Sequence, residues 1–387
     1  MSRKTRGELI NPNEVTIVHT VAKAARNLFL LGEDLATRTQ NSHRKDWILD
    51  ILEFQSSLMA IDLLDFSLLC NHIHQVLRSR PDAVKQWDNY EVARRWMNLC
   101  PTTRKKLQVA DRVERVAIPP RETQIQTLAN NPRRITEIRE RLSSISWWMR
   151  LLCQKVAQRA NFEDGGSKGP FWKGRFHSTV IQENSHLLGC CLYVDLNAVK
   201  AGLAQCIQDY DYTSAKIRLE KIKATQQATE DQQGSGAGQI VQLDPLAEVS
   251  VAQAPEEPSK PKAKDSPQSP KPVLRISQGE FLSLMKLDQL SSNPQLHTSG
   301  FRCSDKGFLD YSVREYLEVL EWCIRNKVTE PEAQMPAEVP ACLSKHPLGP
   351  EMVVRQAREF GRMYRYRTSE APKTDHQQQC AHEDSGS

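Results

Sequence analysis

Residues 61 to 77 contain two strongly apolar runs with almost nothing between them. Ile61 to Leu69 is followed, after Cys70-Asn71 alone, by His72 to Leu77. A joint that short predicts two strands paired as a tight antiparallel hairpin. The hairpin places His72 and His74 on an inner strand of a sheet. Residues i and i+2 of a strand point to one side, so the two imidazoles share a face and Ile73 lies between them.

The flanking pattern supplies the rest of that sheet. Val15, Ile17, Val18 and Val21 give residues 14–23 the β-branched content of a strand. Asn27 to Asp34 predicts a turn carrying Leu28-Phe29-Leu30-Leu31. Trp47, Ile48, Ile51, Leu52, Leu58 and Met59 recur at helical spacing and predict a helix over 43–59. One amphipathic helix is predicted over 83–99. A long one over 133–161 has Ile145, Trp148, Met149, Leu152 and Val156 as its buried stripe. Residues 171–182 hold a strand, 184–201 a helix capped by Asn184 or Ser185, and 211–223 a further short helix. The order strand–helix–strand–strand–helix–strand–helix predicts an α+β architecture, an antiparallel sheet with packed helices.

Residues 1–224 form the main predicted unit. Within it, 101–132 reads as a partly helical, solvent-facing insertion, opened by Arg104-Lys105-Lys106 and interrupted by Pro119-Pro120. Residues 225–275 are dominated by Gln, Gly, Ser, Pro, Glu and Lys, which cannot bury enough apolar surface to offset chain entropy; a disordered linker is predicted. Residues 276–366 regain periodicity as a small helical C-terminal region. Its predicted helices begin at Phe281, at Val313 and at Met352, the last with Arg355, Arg358, Arg362 and Arg365 on one face. Residues 367–387 predict a frayed tail.

Charge divides along the same line. Residues 1–224 carry 34 Lys+Arg against 24 Asp+Glu, a net +10, and residues 225–387 carry 18 against 23, a net −5. A basic front part suits a polyanionic partner such as nucleic acid, although a merely solvated basic surface has the same composition. The ten cysteines include no Cys-x-x-Cys, which argues against a structural zinc site. With neither a signal peptide nor an apolar run of transmembrane length, the expected location is cytoplasmic and nucleoid-associated, with no membrane contact.

A second segment completes the chemistry suggested by the histidines. Tyr193 and Asn197 lie four apart in the predicted helix 184–201, so a phenol and an amide sit side by side. Two imidazoles and an amide oxygen can hold a divalent metal with positions left open, and a phenol beside it can attack a phosphodiester. Taken singly, a His-x-His is more often a satisfied polar pair, a half-buried Tyr is more often core, and Asn197 can cap a helix ahead of Gly202.

Three pieces in order carry a resemblance: Cys70-Asn71-His72-Ile73-His74, then Phe171-Trp172-Lys173-Gly174-Arg175-Phe176, then Tyr193-Val194-Asp195-Leu196-Asn197-Ala198-Val199-Lys200-Ala201-Gly202. Over roughly residues 15 to 218 the chain resembles the single-tyrosine HUH transposases of the insertion-sequence-200-like group, including the REP-associated members. The resemblance implies a ferredoxin-like palm with the His pair mid-sheet and the tyrosine helix beside it. It implies His72, His74 and Asn197 as ligands of Mg²⁺ or Mn²⁺, and Tyr193 as the nucleophile that cleaves and rejoins single-stranded, hairpin-associated DNA through a 5′-phosphotyrosine link. Transposition or the processing of repetitive palindromes would follow, and a homodimer is compatible with it. Departures from the family pattern are Lys200 in place of a common arginine, Ala198 in place of proline, and Gln75 in place of an apolar residue.

The other classes are a non-catalytic or domesticated nucleic-acid-binding regulator on the same palm, and a metal hydrolase with a water nucleophile. The latter lacks a nearby carboxylate base unless Asp195 serves. Candidate DNA contacts are Lys173, Arg175 and Lys200, and Arg104, Lys105 and Lys106 with Arg112 and Arg115 for a hairpin stem. The arginine stripe from Arg355 to Arg365 is an accessory candidate, and Trp172 and Phe176 could stack on bases or fill the sheet core.

Overall fold

The computed structural model describes residues 10–25, 30–34, 39–109, 112–166, 169–234, 279–286, 300–330, 333–364 and 366–368. Strand β1 (Ile17–Lys23) opens the fold, and a small ribbon pairs Glu33–Asp34 with Thr39–Gln40. Helix α1 (His43–Leu58) leads into β2 (Ile61–Leu68) and β3 (His72–Ser79). Helices α2 (Pro81–Gln86) and α3 (Asn89–Leu99) precede a second ribbon, β4 (Arg104–Val109) with β5 (Arg112–Ala117). Then come α4 (Glu122–Ala129), α5 (Pro132–Leu142), α6 (Ile145–Glu163) and β6 (His177–Ile181). Helices α7 (Leu187–Asp195), α8 (Asn197–Lys200), α9 (Ser214–Gly234), α10 (Val313–Arg325), α11 (Ala341–Ser344) and α12 (Gly349–Met363) follow.

The main sheet has the order β2-β3-β1-β6 with every pairing antiparallel. With α1 and α6 as crossovers this is the ferredoxin-like β-α-β-β-α-β arrangement, as the sequence predicts. β1 and β3 are the inner strands. Val21 lies opposite His74 on one side and His177 on the other, and Lys23 lies opposite His72. Alternation therefore puts His19, Val21, Lys23, His72, His74, Val76, His177, Thr179 and Ile181 on one face.

Each face has its own core. Val18, Ala22, Ile73, Leu77, Phe66 and Leu68 pack with α1 and α6. Val76 and Ile181 pack with α7, α10 and α12. Gln75 belongs to the first side: its Oε1 accepts from Trp148 Nε1 at 2.8 Å. A polar residue after the His pair is thus satisfied inside the α6 core and is not a site residue.

Several predicted elements are shorter than their periodicity suggests, and local caps explain most of the breaks. The helix predicted over 83–99 splits at Trp87-Asp88, because Asp88 accepts from Glu91 N and starts α3. The one predicted over 133–161 splits where Ser144 accepts from Trp147 N and starts α6. The helix predicted from Asn184 to about Ala201 begins as a 3₁₀ turn at Asn184–His186 and is divided at Leu196. Residues 101–132 hold the β4–β5 ribbon before α4, so this insertion is only partly helical. No helix forms around Phe281; there Leu282 bridges Leu63 and Ser283 N donates to Leu63 O at 3.0 Å, covering the open edge of β2. Helix α9 runs through residue 224 to Gly234. Most of the expected linker, and the tail after 368, lie outside the described residues, as do Asn27, Leu28 and Phe29.

The C-terminal residues join the sheet through a buried ion cluster at the far end of β3 from His72. Asp62 Oδ2 accepts from Arg78 Nε at 2.8 Å and from Arg80 Nη1 at 3.0 Å, and Ser304 Oγ donates to Asp62 Oδ1 at 2.9 Å. Arg78 also donates to the carbonyls of Gly307 and Lys306, at 2.8 and 2.6 Å. One buried carboxylate thus holds two guanidinium groups. Removing it leaves buried Arg78 without a counter-charge, while Arg80 keeps Asp82; breaking a buried pair costs about 3–5 kcal/mol. Asp62→Ala should lower the urea-unfolding free energy by about that amount; a loss under about 1 kcal/mol would show the cluster to be solvated and expendable.

Candidate active site

β3 presents His72 and His74 to the α7 side of the sheet, and the structure brings Tyr193 to them. The Tyr193 ring lies 5.6 Å from the His74 ring and 5.8 Å from that of His19, edge-on to both, while His72 and His74 lie 4.9 Å apart. The helix rises here because Leu187, Leu188, Cys190, Cys191, Leu192 and Val194 are all buried and seat α7 between the sheet and the C-terminal helices. Tyr193 falls on the edge of that apolar cylinder nearest the His pair.

Each histidine of the pair has one ring nitrogen engaged by a neighbour. His72 Nδ1 lies 2.6 Å from Asn71 Oδ1, and His74 Nδ1 lies 2.9 Å from His19 Nε2. The Nε2 atoms are left as the donor positions. Burial keeps these imidazoles neutral: it lowers His72 to about 4, with Lys23 adding to the effect, and drives His74 well below the usual histidine range, with His19 and His72 adding. His19 falls to about 3, again chiefly through burial. Neutral imidazole is the form that ligates a divalent cation, so the donor set fits.

Asn197 sits next to Tyr193 as expected, but its amide Nδ2 donates to Tyr193 O at 2.6 Å. In this arrangement it bridges the break between α7 and α8. Among the described residues no three His, Cys, Asp or Glu side chains group to hold a metal, so a third donor would come from another residue type or from substrate.

The tyrosine is covered. Phe360 of α12 lies 5.8 Å from the His19 ring and 6.1 Å from the Tyr193 ring. A Cβ built on Gly361 would stand 2.8 Å from the Tyr193 hydroxyl, so only glycine allows this approach, and one on Gly189 of α7 would stand 2.2 Å from Gln356 Oε1. The two glycines bring α7 and α12 close. Burial raises the Tyr193 phenol, with Arg362 opposing.

Lys200 belongs to this cover. Its Nζ lies 4.4 Å from the centre of the Tyr193 ring and donates to the carbonyls of Ala357 and Arg358, at 2.9 and 2.8 Å. Those carbonyls lie just before the break in α12 at Glu359, whose φ of −135° and ψ of 21° are not helical. Asp195 points away from the histidines: Ser214 Oγ and Ala215 N donate to Oδ1, and Tyr316 Oη donates to Oδ2 at 2.6 Å. It cannot act as base for a water nucleophile beside the His pair.

The other predicted contacts fall in two places. Lys173 and Arg175 are exposed, and Lys173 N donates to Lys23 O, so they flank the His72 end of the sheet. Gly174 has φ +134°, a conformation that favours glycine at the turn between them. Phe171, Trp172 and Phe176 are buried, and Trp172 Nε1 donates to Cys153 O, so they fill the core. Arg104, Lys105 and Lys106 are exposed, with Arg104 near Lys155 of α6, on the opposite side of the sheet. Arg112 and Arg115 lie on β5, whose side chains are outside the description. Arg358 is engaged by the carbonyls of Val328 and Ala333, and Arg365 lies outside the described residues. Sequence reading misses His19 and Lys23. Their only signal is the alternation of β1, which has no meaning until its register with β3 is known.

No family model matches the chain, and no curated protein matches it. Among solved structures, a REP-associated tyrosine transposase bound to a REP hairpin is similar at 14% identity, over 55% of this chain and 82% of that one, with a TM-score of 0.29. No helix among the described residues is long and apolar enough to cross a membrane.

Lys200 gives the site a pH signature. Burial, with Arg358 and Arg362 adding, lowers its pKa from 10.5 to about 7. Between those values the unfolded chain keeps a proton that the folded chain has lost, so this residue makes stability rise with pH. The stability of wild type relative to Lys200→Met should therefore increase from pH 7 to pH 10 in urea titrations. A difference independent of pH would mean that the two carbonyls and the Tyr193 ring hold the ammonium charged throughout.

Proposed function

We propose that this chain is a metal-dependent, tyrosine-type DNA strand nuclease and strand transferase. The observation that carries the reading is the edge-on contact of Tyr193 with His74 at 5.6 Å, with the Nε2 positions of both histidines left to a cation. The three sequence pieces of the single-tyrosine HUH transposases and the basic charge of residues 1–224 support a DNA substrate, single-stranded or hairpin-bearing.

In this reading His72 and His74 hold Mg²⁺ or Mn²⁺, with Asn197 Oδ1 as the third protein donor once its amide turns. A bound cation would withdraw charge from the scissile phosphate and steady the departing oxygen. Tyr193 Oη attacks phosphorus, its proton leaves to solvent or a neighbouring base, and the bond to the 3′-oxygen breaks. The product is a 5′-phosphotyrosine and a free 3′-OH. Attack by a 3′-OH reverses the sequence and restores the phenol, so rejoining needs no nucleotide. Lys23, Lys173 and Arg175 provide a cationic approach at the His72 edge.

One observation favours the second reading, a binding protein that has ceased to cut. The Tyr193 hydroxyl lies against Gly361, so α12 crowds the side from which a phosphate would approach. A covalent-adduct assay separates the two readings: the full chain, single-stranded hairpin DNA and Mn²⁺, resolved on a denaturing gel. The nuclease reading expects an adduct in wild type and none in Tyr193→Phe. His72→Ala and His74→Ala should abolish cleavage while DNA binding persists, because basic side chains supply most of the affinity. The rivals are engaged elsewhere: Tyr210 Oη donates to Leu68 O, and Tyr212 Oη to Asp46 Oδ1. An adduct that persists in Tyr193→Phe and maps to either of them would overturn the assignment. Hairpin binding by wild type with no adduct would favour the binding protein.

A further inference from the structure

His19 lies on the same sheet face as the His pair, no motif singles it out, and its geometry is specific. The His19 and His74 rings are nearly parallel, 6° apart, with centroids 5.2 Å apart. That separation exceeds the 2.9 Å between His19 Nε2 and His74 Nδ1 by 2.3 Å, which is the sum of two imidazole ring radii. Centroid, nitrogen, nitrogen and centroid therefore fall on one line. This is a linear N–H···N hydrogen bond. No cation fits between the two nitrogens, so His19 is not itself a ligand of a shared ion.

We infer that His19 is a positioning residue that fixes the tautomer and orientation of His74 for metal binding. The inference rests on the metal-site reading given above. A linear bond between two neutral imidazoles can be drawn in two ways. If His19 donates from Nε2, His74 carries its proton on Nε2 and that nitrogen cannot bind a cation. If His74 donates from Nδ1, its Nε2 bears a lone pair directed away from His19. Metal binding through His74 Nε2 selects the second arrangement, with His19 protonated on Nδ1. Ligating histidines usually have the other ring nitrogen held by an acceptor. Asn71 Oδ1 plays that part for His72, and His19 plays it for His74. Both rings are buried, His19 at 2% and His74 at 3% exposed, so little solvent competes for the bond between them.

Mn²⁺ binding to the full chain, followed by electron paramagnetic resonance of the free ion, tests this without reference to cutting. His19→Phe keeps a ring and removes the acceptor; it should weaken Mn²⁺ by about 10–100-fold, the usual cost of losing such a partner. His19→Gln, whose amide oxygen can accept from His74 Nδ1, should recover part of the loss. A structural role alone would move the thermal midpoint of both variants and leave Mn²⁺ affinity unchanged. Nitrogen-15 spectra of histidine-labelled wild type provide a check that needs no variant: His74 should carry its proton on Nδ1. Equal Mn²⁺ affinity in wild type and His19→Phe, with binding lost in His74→Ala, overturns the role of His19 and leaves the metal site standing. A wild type that binds no Mn²⁺, or binds it as well as His74→Ala does, overturns the metal reading and this inference together.

Discussion

The structure depends on a strand that is buried on both faces. β3 lies between β2 and β1, with α6 below and α7 and α12 above. The pleat hands each of its residues to one core or the other. Ile73, Gln75 and Leu77 go to the α6 side, and His72, His74 and Val76 to the α7 side. A slip of one residue would place two imidazoles among Trp148 and Met149 and turn Ile73 toward Tyr193. The Gln75–Trp148 hydrogen bond opposes that slip, because moving it would leave a buried amide and an indole N–H without partners. Gln75 thus helps to set the register on which the His pair depends.

How much of this could be read from the chain follows from the range of each interaction. The shared face of His72 and His74 is a property of two neighbouring residues, so it was legible. The hairpin was legible because only Cys70-Asn71 separates its strands. Tyr193 and Asn197 were legible as neighbours, since four residues of helix bring them together, but the direction of the Asn197 amide was not. The broken helices depended on Asp88 and Ser144 winning as caps over continued periodicity. The ribbon of β4 and β5 was hidden because Arg104-Lys105-Lys106 looks like a solvated charge run, while the cross-strand pairing that makes it a ribbon lies outside any short window. His19 needed the register of two strands more than fifty residues apart.

Asp195 shows the opposite case. Within the motif it looks like spare acid beside Tyr193. The helix turns it two positions round from Tyr193, into the core between α9 and α10. There burial raises its pKa to about 6, and Ser214, Ala215 and Tyr316 hydrogen-bond to it. Asp65 stands near and is pushed up well above the carboxylate range, by burial first and by Asp195 next. These groups tie β2, α7, α9 and α10 together. Tyr193 and Asp195 are two residues apart, and helical rotation alone separates a group that faces the histidines from one that anchors the scaffold.

Burial links two properties of the site that a reaction would need separately. Phe360 and the glycine contacts of α12 help to bury His19 and His74 and to cover part of Tyr193. That keeps the imidazoles neutral and free to donate lone pairs, and it raises the phenol. The same contacts crowd the phenol, which is partly buried. Lys200 lies at the junction: its ammonium spans from the Tyr193 ring to two carbonyls beside the break in α12. Lys200 Nζ is already committed to α12, so an anion arriving at Tyr193 would compete with the two carbonyls for its hydrogen bonds. Opening the cover would rehydrate the histidines and return their pKa values toward the ordinary range, still leaving them largely neutral near pH 7. In the proposed reading, a cation on the His pair would therefore tolerate opening of the cover, and the state that holds it need not be the state that covers the tyrosine.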